Sequence, residues 1–271
     1  MPSFLEISPE KLNRLIGTPG APVIIDVRTD EDFALDPRLI PSSIRRSHAD
    51  IASWVSTVDA ESVVVVCQRG GKLSHGVAAY LRHAGIDAES LEGGFEAWAT
   101  GGMAVPEQKL PRRDAQGRTV WVTRARPKID RIACPWLIRR FVDPNALFLF
   151  VPAPEVTAVG DRFGAMPFDI EDVFWSHRGD LCTFDVMVDE FGLTSEPLLR
   201  LATIVRAADT ARLDLAPEAA GLLAASLGLS RMYSNDLEQL EAGMLLYDAF
   251  YRWCRDATEE THNWPSAKKG A

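Results

Sequence analysis

The four consecutive valines at residues 63–66 constrain the fold most, because they run straight into Cys67 and then into Gln68, Arg69, Gly70, Gly71 and Lys72 before a helical pattern begins. An unbroken β-branched run of this kind reads as a strand buried on both faces. Val77, Leu81 and Ala84 then recur at helical spacing, and Gly85 supplies the stop. Upstream, Ser8 and Pro9 open a helix as cap and first residue, with Leu12, Leu15 and Ile16 on one face, and a second short apolar run follows at residues 23–25. Strands alternating with helices imply a parallel sheet covered by helices. Reactive groups in such sheets collect at the carboxyl ends of the strands, where Asp26 and Cys67 both lie.

The segment after Cys67 has a chemical use. A tight glycine loop feeding a helix points successive backbone N–H groups inward and makes an anion nest. A thiol at its centre is expected to have a depressed pKa, helped by Arg69 or Lys72, and the nest suits a persulfide or a tetrahedral oxyanion equally. An inert buried cysteine at a strand end is the plainer alternative.

Residues 1–105 resemble the rhodanese family at Ile24-Ile25-Asp26-Val27-Arg28, at Ile40-Pro41-Ser42-Ser43-Ile44, at the Cys67 loop and at Leu91-Glu92-Gly93-Gly94-Phe95-Glu96-Ala97-Trp98. The resemblance implies an α/β domain in which Cys67 accepts sulfane sulfur from a donor such as thiosulfate and passes it to a thiol or cyanide, with no cofactor. It also implies that Asp26 and Arg28 organise the loop region, although Asp26 fits a structural cap as well. The loop departs from the family where Lys72-Leu73-Ser74-His75 follows the glycines, since lysine lacks the planar fork that grips an oxyanion bidentately. A larger tetrahedral anion, chromate included, is therefore a candidate ligand. His75 reads either as a general base or as a solvated residue of the first helical turn.

Residues 106–118, polar and containing two prolines, read as a linker. Residues 119–271 then give a strand, a helix near residues 130–141, a second strand and mainly helices, a mainly α-helical α+β domain. This half resembles the C-terminal domain of chromate-resistance proteins of the ChrB type. The resemblance rests on Trp121-Val122-Thr123-Arg124, on residues 126–131 and 134–141, on Ser176-His177-Arg178-Gly179-Asp180 with residues 182–185, and on residues 237–253. His177, Cys182 and Asp185 are candidate metal ligands if a fourth group such as Asp209 or His262 joins them, and a structural hydrogen-bond cluster is the alternative. Arg131, Arg139 and Arg140 form a candidate second anion site, or else pair with nearby carboxylates.

Several classes are disfavoured. A net charge of -9 opposes non-specific nucleic-acid binding. No apolar run approaches the ~20 residues a membrane helix needs, and the first ten residues lack a secretory pattern, so a cytoplasmic location is expected. Cys67, Cys134, Cys182 and Cys254 show no paired spacing and read as free thiols. Two functions remain: a sulfurtransferase or thiol-dependent oxyanion-handling protein using Cys67 in chromate resistance, or a non-catalytic oxyanion sensor of the same system. Expected partners are a small sulfur donor or oxyanion and a thiol acceptor, with the oligomeric state left open.

Overall fold

In the computed structural model, which describes residues 5–260, the valine run is the middle strand of a five-stranded parallel sheet. The chain runs β1 (Glu6–Ile7), α1 (Pro9–Leu15), β2 (Val23–Asp26), α2 (Asp30–Leu35), β3 (Arg38–Leu39), β4 (Ile44–Arg45), α3 (Ile51–Trp54), β5 (Ser62–Val66), α4 (Lys72–His83), β6 (Asp87–Leu91) and α5 (Gly94–Ala99). The sheet order is β1-β6-β5-β2-β4. Pairing of Val23 with Val63 through Asp26 with Val66 puts the ends of β2 and β5 side by side. The two-residue period of a strand explains why all four valines are needed. Ile24, Val64 and Val66 enter one core, and Ile25, Val63, Val65 and Cys67 enter the other.

The second half begins after β7 (Val105–Pro106) and continues through β8 (Val120–Arg124), α6 (Asp130–Phe141), β9 (Leu147–Val151), α7 (Val156–Phe163), β10 (Met166–Pro167), α8 (Thr183–Glu190), α9 (Glu196–Asp209), α10 (Ala219–Met232) and α11 (Asp236–Asp256). Three parallel strands in the order β10-β8-β9 carry these helices. The α+β expectation holds. Trp121, Trp136 and Trp175 are fully buried, and the indole N–H of Trp136 is satisfied by Asp248 Oδ1 at 2.8 Å. A buried indole N–H needs such a partner. Leu237 is exposed in the first turn of α11, while Leu240, Met244, Tyr247 and Tyr251 are buried.

Residues 106–118 are more ordered than a linker reading implies. Pro106 pairs with Arg38 across the β3–β7 ladder, and the Asp114 side chain closes a turn by accepting from the N–H groups of Gln116 and Arg118. Lys109 pairs with Glu190, and Arg113 approaches Asp143 at 3.3 Å. Polar residues of the linker thus tie the connection down. The core behind Val64 and Val66 extends without a break from Leu12, Ile16 and Trp98 into Phe141 and Tyr251.

Candidate functional sites

Cys67 leaves β5 with its side chain buried and its sulfur held from two sides. Sγ lies 3.1 Å from the Ser74 hydroxyl and accepts from the Gly71 N–H at 3.2 Å. Burial pushes the thiol up, but the Ser74 hydroxyl and the N–H groups of Gly71, Ser74 and Arg69 outweigh it, so the pKa falls below the ordinary thiol value. The loop keeps its shape because α5 backs onto it. Phe95 N–H donates to Cys67 O at 2.9 Å, and Glu96 N–H donates to Gln68 O at 3.0 Å. A Cβ on Gly94 would sit 2.3 Å from Cys67 O, and Gly94 has φ +62. Only glycine permits that approach and that backbone.

The other predicted residues divide around this centre. Gly70 has φ +63 and a Cβ there would lie 2.6 Å from Gly93 N, whereas Gly71 has open space around it, and Lys72 begins α4 with its side chain exposed. Gln68 and Arg69 face away from the sulfur, both toward Glu96, at 3.2 and 3.1 Å. His75 lies 3.0 Å from Glu6 and takes no part near Cys67. Asp26 and Arg28 form a buried pair at 2.6 Å, whose guanidinium also donates to the Asp36 and Arg38 carbonyls. That guanidinium stacks 3.7 Å above the Phe95 ring, so the pair acts on the loop through the residue that holds Cys67 O. Ser74 is the residue that sequence reasoning missed. Its spacing from Cys67 along the first turn of α4 was the available signal.

A second constellation lies in the other half. His177 Nε2 is 3.2 Å from Asp209, 3.5 Å from Asp169 and 3.6 Å from Asp130. Asp130 opens α6 and faces the start of α8, where its Oδ2 accepts from Thr183 N–H at 2.6 Å. Hydrogen bonds to Asp169 and Asp209 push His177 up to about 10. Burial, then the charges of Asp209 and Asp169, push the Asp130 carboxyl well above the carboxylate range, with His177 opposing. Asp130 follows Ile129, a β-branched residue at φ +40 that is pinned by Ser226 and Tyr247.

Two predicted groupings need correction. Cys182 and Asp185 do not join His177 as a ligand trio. They cap α8 reciprocally, Cys182 N–H donating to Asp185 Oδ2 at 3.0 Å, while Asp185 Oδ1 takes Arg206 at 2.8 Å. The local spacing that suggested ligands is the spacing of a capping box. Asp209 does approach His177, and His262 lies outside the described residues. The second anion site is not assembled either. Arg139 pairs with Glu241 at 2.6 Å, Arg140 with Asp248 at 2.8 Å through Nε and Nη2, and Arg131 with Asp169 at 3.2 Å. Each guanidinium is spent on a different carboxylate. Cys134 and Cys254 are buried, and burial pushes Cys254 up to about 11.

Comparison with known proteins bears on both halves. The family model of the rhodanese-like domain matches residues 8–100, and that of the ChrB C-terminal domain matches residues 121–254. Protein ChrB of Cupriavidus metallidurans is 36% identical over 146 residues, 52% of this chain and 43% of its own length, so the chain spans less than half of that relative. Thiosulfate sulfurtransferase GlpE of Pseudomonas syringae pv. syringae is 37% identical over 102 residues, covering 37% of this chain and 92% of its own. Among solved structures, a rhodanese-like domain protein from Staphylococcus aureus is 33% identical with a TM-score of 0.32, covering 36% of this chain and 91% of its own.

Proposed function

We propose that this chain, which belongs to the rhodanese-like family through residues 8–100 and carries the ChrB C-terminal domain at residues 121–254, is a sulfurtransferase acting in chromate resistance. The observation that carries the reading is the Cys67 sulfur, held by Ser74 and the Gly71 N–H with its pKa lowered. The thiolate attacks the outer sulfur of thiosulfate, the sulfur–sulfur bond breaks, and sulfite leaves with the bonding pair. Cys67 is left as a persulfide whose terminal negative charge rests in the amide nest. An acceptor thiolate then takes that sulfur and regenerates the Cys67 thiolate. No step needs a metal or an organic cofactor. Four cysteines free of disulfides suit a reducing compartment such as the cytoplasm.

Conversion of thiosulfate and cyanide to thiocyanate tests the reading. The parent chain forms thiocyanate and Cys67→Ser falls to the uncatalysed background; formation by the variant at the parent rate contradicts it. The Gly71 N–H directed at Cys67 Sγ favours a second reading, in which the nest holds an oxyanion without turning it over. Chromate or thiosulfate binding by a parent chain that makes no thiocyanate would support that alternative.

A further inference from the structure

The carboxylates around His177 have no place in the chemistry of Cys67, and their arrangement asks for a cation. One imidazole nitrogen faces Asp209, Asp169 and Asp130 at 3.2, 3.5 and 3.6 Å, and a single ring N–H cannot serve three acceptors. Asp169 is answered elsewhere, since Arg131 lies 3.2 Å from its Oδ2 and the Thr183 hydroxyl donates to its Oδ1 at 3.0 Å. Asp130 is not. Its side chain is fully buried, Oδ2 takes the N–H groups of Thr183 and Phe184, and Oδ1 has no hydrogen-bond partner. A buried carboxylate oxygen left without a partner is costly and calls for an explanation, an unoccupied ion position among them.

We propose that Asp130, His177 and Asp209 bind one divalent transition-metal ion of the manganese(II) or iron(II) class. Their candidate ligand atoms all lie within 4.8 Å of one another. Neighbouring ligands on an ion at about 2.2 Å stand about 3 Å apart and opposed ones about 4.4 Å, so small side-chain adjustments suffice. Two carboxylates balance the charge of a divalent ion. The set of carboxylate oxygens with one imidazole lies between the oxygen cages of magnesium and the thiolate sites of zinc. Cys182 is outside it, since its sulfur is not among the ligand atoms that converge. His177 is 41% exposed, which leaves further coordination positions open to water or a small ligand. The same carboxylates repel chromate and thiosulfate, so this site is separate from the anion chemistry of Cys67.

The test uses the full chain stripped with chelator and titrated with manganese(II), followed by the loss of the free-ion paramagnetic resonance signal. The expected result is one ion bound per chain, weakened by about tenfold or more in both Asp209→Asn and His177→Gln. Near-ultraviolet circular dichroism checks that these partly exposed positions leave the fold intact. Cys67→Ser binds the ion as the parent does, which separates this proposal from the sulfur-transfer reading. Absence of bound manganese(II), equal binding by parent and both variants, or binding of zinc(II) without manganese(II) overturns it.

Discussion

Cys67 and Ser74 show how a few short contacts lower the pKa of a buried thiol. A hydrogen bond to a charged group contributes about 1.5 kcal/mol or more, roughly tenfold in an equilibrium. Ser74→Ala is therefore expected to slow alkylation of Cys67 by iodoacetamide at neutral pH by about tenfold. The sign follows from the thiolate being the reactive form. Its population falls as pH drops through the Cys67 pKa, so the parent midpoint lies below that of an ordinary thiol, and loss of Ser74 moves it up. An unchanged pH–rate profile in the variant would remove Ser74 from the account. Cys67 and its glycines were legible in the sequence because they are contiguous. The pairing of His177 with Asp209 was anticipated, but Asp130 was not, since α6, the loop before α8 and the end of α9 come together only in the fold. Arg139 and Arg140 looked like an anion site because sequence proximity does not reveal that Glu241 and Asp248 answer them from α11.

At the scale of elements, the Cys67 loop depends on α5 as much as on α4. Gly94→Ala puts a Cβ 2.3 Å from Cys67 O at a left-handed backbone, whereas a Cβ on Gly85 meets nothing within 4 Å. The expected cost is about 1 kcal/mol for Gly85→Ala, from backbone strain alone, with sulfurtransferase activity retained. Gly94→Ala is expected to cost about 1–3 kcal/mol and to lose most activity as the loop shifts. Urea unfolding and thiocyanate formation on the two variants check this, and equal effects would contradict it. Most elements were legible from periodicity: α6 falls on the predicted residues 130–141, and β5 and α1 follow the apolar runs that foretold them. The connection at 106–118 is held by ion pairs and a short ladder that composition does not encode.

At the scale of the whole molecule the two halves share one apolar core. A Cβ on Gly17 would lie 2.3 Å from the Phe141 ring and 2.9 Å from that of Tyr251, and Ser42 N–H donates to Phe141 O at 2.7 Å. Calorimetry of the full chain is expected to give one cooperative transition, and Phe141→Ala to lower its stability by about 3–5 kcal/mol. Two separate transitions in the parent chain, with only the second moved by the variant, would show the halves to be independent. No helix among the described residues is long and apolar enough to cross a membrane. The central claim, that this chain carries sulfur on Cys67, is tested most directly by the intact mass of the protein after incubation with thiosulfate. The account predicts a gain of one sulfur atom in the parent chain, removed by a thiol acceptor and absent from Cys67→Ser. A parent mass that stays unchanged, or a sulfur adduct that persists in Cys67→Ser, would contradict it.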